Sequence, residues 1–314
     1  MAADTGLEQR IQFESEQRFY ARWLSSTWKF IRTYPLGAIG GFFVILLLTA
    51  TVLPDLFTPL SVQDPLKQSI PDRLDGPSGS HWFGRDELGR DVYARLVHGA
   101  RLSIIIGFGV VGVATTLSVA AGTLSGYYGG WFDTAFQRLV DIGIAVPGLV
   151  FIILVVQTLQ TRLDSVWSGH GDELAIIISL GLLIAASSSR TIRGVALSLR
   201  EEQFVEAAQA LGASDTRIMA RHIVPNLFAI VLVSASILVG TAVLVESALS
   251  FLGYGVQPPD PSWGRMLNDA REQMIRAPHL AVFPGFAIFI TVFSFNMLGD
   301  ALRDKLDPRL RGAN

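Results

Sequence analysis

Six stretches of this chain are apolar for long enough to cross a bilayer, and they constrain its fold more than any other feature. A helix needs roughly 20 mainly apolar residues to traverse a hydrocarbon core of about 30 Å. The stretches run from Leu36 to Leu53, Leu102 to Leu124, Leu139 to Leu159, Leu174 to Ser188, Leu227 to Leu252 and Leu280 to Leu302, the fourth being the shortest. Inside lipid the backbone has no water to bond, so each stretch is expected to form an α-helix. The expected fold class is all-α, a polytopic membrane protein with six transmembrane helices. Composition agrees, since 17% of the residues are charged and mean hydropathy is +0.42, against about a quarter charged in soluble proteins.

Lys and Arg near the spans set the orientation. Arg10, Arg18, Arg22, Lys29 and Arg32 precede the first span, and Arg303, Lys305, Arg309 and Arg311 follow the last. Both termini are expected in the cytoplasm, which an even number of spans allows. The same orientation puts Arg190, Arg193, Arg200, Arg217 and Arg221 inside. Residues 54–100 then form an external loop; its own Lys and Arg residues weigh little, because long loops cross largely regardless of charge.

The domain reading follows. Residues 1–35 are a cytoplasmic leader whose Phe19, Trp23, Trp28 and Phe30 suit either an interfacial helix or a mobile tail. Residues 36–53 are the first span, 54–100 the external loop, 101–302 a five-helix domain with a cytoplasmic loop over 191–225, and 303–314 a tail. Within the external loop, Leu88, Val92, Leu96 and Ala100 recur at helical spacing, which predicts a short amphipathic helix from Glu87 to Arg101 leading into the second span. Gly37 with Gly41, and Gly122 with Gly126, are four apart, a spacing that lets membrane helices approach closely.

Several function classes are excluded or weakened. A formal charge of -2 with no basic face argues against a nucleic-acid partner. The chain has no cysteine, and its five histidines show no metal-ligand spacing. There is no Gly-x-x-x-x-Gly-Lys-Ser/Thr loop, so the chain cannot hydrolyse ATP as a P-loop protein does. Ser187, Ser188 and Ser189 have no nearby Lys or His in sequence, which makes an intramembrane protease a poor fit. An ion-coupled secondary carrier, the alternative from another class, would be expected to place several ionisable groups at mid-membrane depth, where this chain places only Glu246.

The most informative stretch is Glu201 to Asn226, a polar insertion between apolar segments. Residues 202–211 are rich in strong helix formers, and Gly212 stands where a left-handed residue ends a helix. Ser214 or Asp215 can cap a second helix through Ile218, Met219 and His222, and Pro225 suits the first turn of the next span. Ala207, Ala208 and Ala210 give the first helix a low surface suited to a partner's groove.

Glu206-Ala207-Ala208, Gly212 four residues after Ala208, and Pro225 thirteen further on resemble the "EAA" cytoplasmic loop of ABC importer permeases. His222-Ile223-Val224-Pro225-Asn226 is similar to the dipeptide, oligopeptide and nickel branch, with Val224 in place of the more usual Leu. The external run from Phe83 to Val92, and Glu246 to Gly253 in the fifth span, resemble the same branch, although Arg85 stands where Thr is common. The resemblance implies a type I ABC importer permease fold in the plasma (inner) membrane of a prokaryote. It implies a non-catalytic subunit forming half of a path for peptides; nickel complexes, glutathione or another small solute are the alternatives. The implied partners are a homologous second permease, two ABC ATPase subunits or one fused ATPase, and an extracytoplasmic substrate-binding protein. No cofactor is implied in this chain; ATP and Mg belong to the ATPases.

The implied ATPase-coupling residues are Glu206, Ala207, Ala208, Leu211, Gly212, Asp215, His222 and Pro225. The external motif is Gly84, Asp86, Gly89, Arg90 and Asp91, serving either to order the loop by internal ion pairs or to assemble subunits. Glu246, with Ser247 and Asn296, is a candidate for the translocation pathway, because an ionisable group at bilayer depth costs roughly 3 kcal/mol unless it meets a wet cavity or a partner. A structural hydrogen bond holding a helix kink is the competing role for Glu246.

Overall fold

A computed structural model describes residues 28–58, 64–165 and 169–306. Most of the expected leader and all of the tail beyond 306 lie outside these residues. The described residues form helices joined by turns, with a single isolated bridge between Arg85 and Asp91. The main helices are α1 (Pro35–Val52), α2 (Val92–Tyr128), α3 (Gly130–Ala145), α4 (Gly148–Asp164), α5 (Gly171–Arg200), α6 (Gln203–Ala210), α7 (Asp215–Phe251), α8 (Trp263–Ala270) and α9 (His279–Leu306).

Five of these, α1, α2, α5, α7 and α9, are long and apolar enough to cross a membrane. The expected third span is not one straight helix: α3 and α4 meet at 91°. Pro147 explains the break. It lacks an N–H, its ring clashes with the preceding turn, and it drives Val146 into the extended conformation seen there (φ -76°, ψ 130°). The fourth span, expected to be short, belongs to a helix of 30 residues. It continues past the apolar run to Arg200, and Arg190 and Arg193 pair there with Asp141 and Asp133 on α3.

The amphipathic helix expected from Glu87 does not exist as a separate element. Asp86 Oδ1 accepts hydrogen bonds from the backbone N–H groups of Leu88 and Arg90, each at 2.9 Å, which holds that segment in a turn. Asp91 then caps α2, accepting a 2.8 Å bond from Ala94 N–H, and the helix runs unbroken for 37 residues.

α2 and α5 form the long central seam, with α7 against α2 and α9 against both α7 and α1. At Gly122 and Gly126 the seam closes to backbone contact: a Cβ on Gly126 would stand 2.8 Å from Arg193 O and 2.9 Å from Ala196 Cβ. That spacing therefore packs helices within the chain. Gly41 does not share the close contact expected for it; Gly37 and Gly40 are the positions that meet α9.

Candidate functional site: an exposed short helix and the ion-paired opposite end

The bundle has two polar ends. One carries the Gly84 to Asp91 turn and α8; the other carries α6.

At the α6 end, Glu202 enters the helix in an extended conformation and Leu211 leaves it. The stop is a Schellman turn: Ala213 N–H bonds Ala208 O at 3.0 Å, and Gly212 N–H bonds Gln209 O at 2.9 Å. Gly212 takes φ +78°, which an L side chain rarely adopts. Val205 and Ala208 point inward and pack with Ile218, Met219, Ile223 and Leu227, together with Tyr127, Ile192 and Ala196 from α2 and α5. Glu206, Ala207, Gln209 and Ala210 face outward. The expected alanine surface is thus divided, with Ala208 seating the helix on its own bundle and Ala207 and Ala210 exposed. Leu211 is 88% exposed, a large apolar side chain at the tip of the structure.

Beyond the turn, Asp215 begins α7 and accepts a 2.8 Å hydrogen bond from the Tyr127 hydroxyl at the end of α2. The second short helix does not stop before the span. Residues 219–223 widen into a π-turn and the helix continues through Pro225. Proline removes the donor that its preceding turn would use, and one widened turn absorbs the defect. His222 lies in that turn, its ring 6.3 Å from Phe204 of α6, and its carbonyl accepts from Asn226 Nδ2 at 2.6 Å.

Sequence reasoning missed the clamp just above. Arg193 of α5 holds Asp133 of α3 in a bidentate pair that Ser125 and Gln137 complete, and Arg190 pairs with Asp141. The pairs join residues 60 and 49 positions apart, so local spacing carried no signal for them.

At the other end, Asp86 and Asp269 hold three arginines. Arg90 Nε lies 2.7 Å from Asp86 Oδ2, Arg95 bridges Asp86 (3.5 Å) and Asp269 (3.4 Å), and Arg265 Nε lies 2.9 Å from Asp269 Oδ1. The motif orders the loop by internal pairing and ties it to α8. Gly84 (φ +77°) and Gly89 (φ +71°) shape the turn, and a side chain at Gly89 would strike the Ser69 backbone. His81 bonds Asp91 Oδ2 at 2.7 Å through Nδ1 and receives Arg85 at Nε2, also at 2.7 Å. Glu87 is different. Partial burial, then the charges of Asp269 and Asp86, raise its pKa above the ordinary 4.5.

Glu246 is fully buried. Ser250 Oγ donates to its Oε1 at 2.7 Å and Ser247 Oγ lies 3.3 Å from its Oε2. Ser250 Oγ also accepts from Val256 N–H at 3.3 Å, so the group fastens the end of α7 to the loop leading to α8. Asn296 is not brought to it. Gly240 packs at Val292 and Gly299 at Ile237, which sets Asn296 roughly 12 Å from Glu246 along the bundle at 1.5 Å per residue.

The family model described as "Binding-protein-dependent transport system inner membrane component" matches residues 118–312. A dipeptide transport system permease protein from Alkalihalophilus pseudofirmus is 40% identical over 268 residues, 85% of each chain. Glutathione transport system permease proteins from Escherichia coli and Shigella boydii are 38% identical over 286 residues, 91% of this chain and 90% of theirs.

Proposed function

Because the chain belongs to the family of binding-protein-dependent transport system inner membrane components, we propose that it forms half of the transmembrane path of an ATP-driven importer for short peptides. The observation that carries this is α6: a short helix seated by Val205 and Ala208, presenting Glu206, Ala207, Ala210 and Leu211 to a partner, and followed by a turn that the Tyr127–Asp215 hydrogen bond ties to α2.

In this reading the α6 end and both termini are cytoplasmic, and the Gly84 to Asp91 end faces outward. Two ATPase subunits, or one fused ATPase, bind ATP and Mg and press on α6. A second, homologous permease completes the path, and a binding protein delivers substrate to the outer end. This chain supplies no catalytic group. Its contribution is a packed element with two arrangements that partners bias, as coupling between distant sites requires. Force on α6 reaches α7 through the Gly212 turn that joins them and α2 through the Tyr127–Asp215 hydrogen bond.

The relatives' names support peptides and, as a second reading, glutathione. Co-expression with neighbouring transporter subunits, reconstitution into liposomes and measurement of labelled dipeptide and glutathione uptake test this. ATP-dependent uptake of dipeptide supports the leading reading, and preference for glutathione supports the second. Uptake driven by an ion gradient without ATP contradicts both.

A further inference from the structure

We propose that a cavity at the outer ends of α2 and α5 binds a small zwitterion, namely the two charged termini of a short unblocked peptide entering the path. This rests on the importer reading and adds a site to it.

The cavity has a volume of about 510 Å³, within the roughly 300–1,000 Å³ of small-ligand pockets. α2 contributes His98, Arg101, Leu102 and Ile105, which share one face at helical spacing, and α5 contributes Glu173 and Ile177. The walls are mainly apolar, and the polar groups carry both signs.

Two observations point to a ligand. Glu173 is only 9% exposed, yet its Oε2 has no hydrogen-bond partner; its other oxygen lies 3.5 Å from His170 Nδ1. His98 Nε2 is likewise shielded and unpaired, with Asp55 Oδ1 at 4.0 Å, beyond hydrogen-bonding distance. These are two of the six such atoms among the described residues, and both belong to residues lining this one cavity. Buried polar atoms are normally satisfied, so an unpaired pair around a cavity marks where an incoming group bonds.

The charges select its chemistry. Glu173, with Asp260 as a second carboxylate in the lining and His170 against Glu173, suits an ammonium group, and Arg101 with His98 suits a carboxylate. A simple anion would face Glu173 and Asp260, and a simple cation would face Arg101. A short peptide with free termini satisfies both and lays its side chains on Leu102, Ile105 and Ile177.

The test places a photoreactive benzoylphenylalanine at Ile105 in the assembled importer in liposomes, with tritiated Ala-Phe as the probe. Light is expected to yield a dipeptide adduct that unlabelled Ala-Phe displaces and N-acetyl-Ala-Phe amide does not. Glu173→Gln should weaken displacement about tenfold, as expected for loss of a charge-assisted bond, and Arg101→Gln, a change at an exposed residue, should weaken it in the same direction. A phospholipid adduct indifferent to dipeptide, or a dipeptide adduct unaltered in both variants, overturns the proposal. The same vesicles report ATP-dependent uptake: uptake without a peptide adduct overturns this site alone. Wild-type vesicles that neither hydrolyse ATP nor take up peptide contradict the importer reading and the site with it.

Discussion

The Tyr127 hydroxyl donates a 2.8 Å hydrogen bond to Asp215, joining the last turn of α2 to the first turn of α7 across 88 positions of sequence. Under the proposed coupling role, a pair so placed would carry movement of the Gly212 turn to two helices at once. Replacing Tyr127 with Phe removes the bond and keeps the ring in its apolar setting. The loss of about 1 kcal/mol should leave assembly intact and lower transport per ATP hydrolysed by about fivefold, measured as the ratio of uptake to phosphate release.

Gly212→Val should insert normally and lose ATP-dependent uptake. Apart from the glycine and its two chain neighbours, no atom lies within 4 Å of where a Cβ would stand, so the defect is backbone strain at φ +78°, of about 1–2 kcal/mol. Protease protection of the bundle reports insertion, and uptake reports coupling.

The Asp86, Arg90, Arg95 and Asp269 cluster predicts a stability effect. Arg95→Ala removes one of three arginines from a part-buried cluster in which Asp269 keeps Arg265 and Asp86 keeps Arg90, a loss of about 1–3 kcal/mol, and the variant should unfold at lower temperature in detergent. Arg138→Ala, at an exposed pair, should shift it little.

Glu87 predicts a pH effect of defined sign. Its folded pKa is raised, so the folded state holds the proton more tightly than the unfolded chain does, and its stabilising contribution is present below about 4.5 and lost as pH rises through the folded value. Glu87→Gln should therefore raise the melting temperature relative to wild type at pH 7 by more than it does at pH 4.

Glu246→Gln separates the two roles open to that residue. A carboxyl that only fastens serines around the end of α7 tolerates an amide, so uptake should stay within about twofold, whereas Glu246→Leu should cost about 1–3 kcal/mol by leaving the Ser247 and Ser250 hydroxyls unpaired. Loss of uptake in a stable Gln variant would favour the pathway role.

What could be read from sequence was local. Apolar runs located the five long helices, and helix formers followed by Gly212 located α6 and its stop. Pro147 was equally visible, but a length criterion counts apolar residues and does not register that one proline turns the chain through 91°. The helix start at Asp91 was misplaced by four residues because Leu88 fits an apolar stripe while the Asp86 side chain claims its N–H. Within the site, Glu206 to Gly212 stood out by spacing, but which alanine faces outward depends on where Ile218, Ile223 and Leu227 return to meet α6. The Asp133 to Arg193 clamp and the Glu173 cavity are made of residues on different helices, and composition and periodicity say nothing of such pairings.

The most direct test of the central claim uses the absence of native cysteine. Leu211→Cys in the assembled importer should form a crosslink to an ATPase subunit with a short bifunctional reagent, with a yield that changes on adding ATP, while Ser80→Cys at the opposite end should form none. No crosslink from position 211 to an ATPase in an importer that hydrolyses ATP, or a crosslink from position 80 instead, would contradict the account.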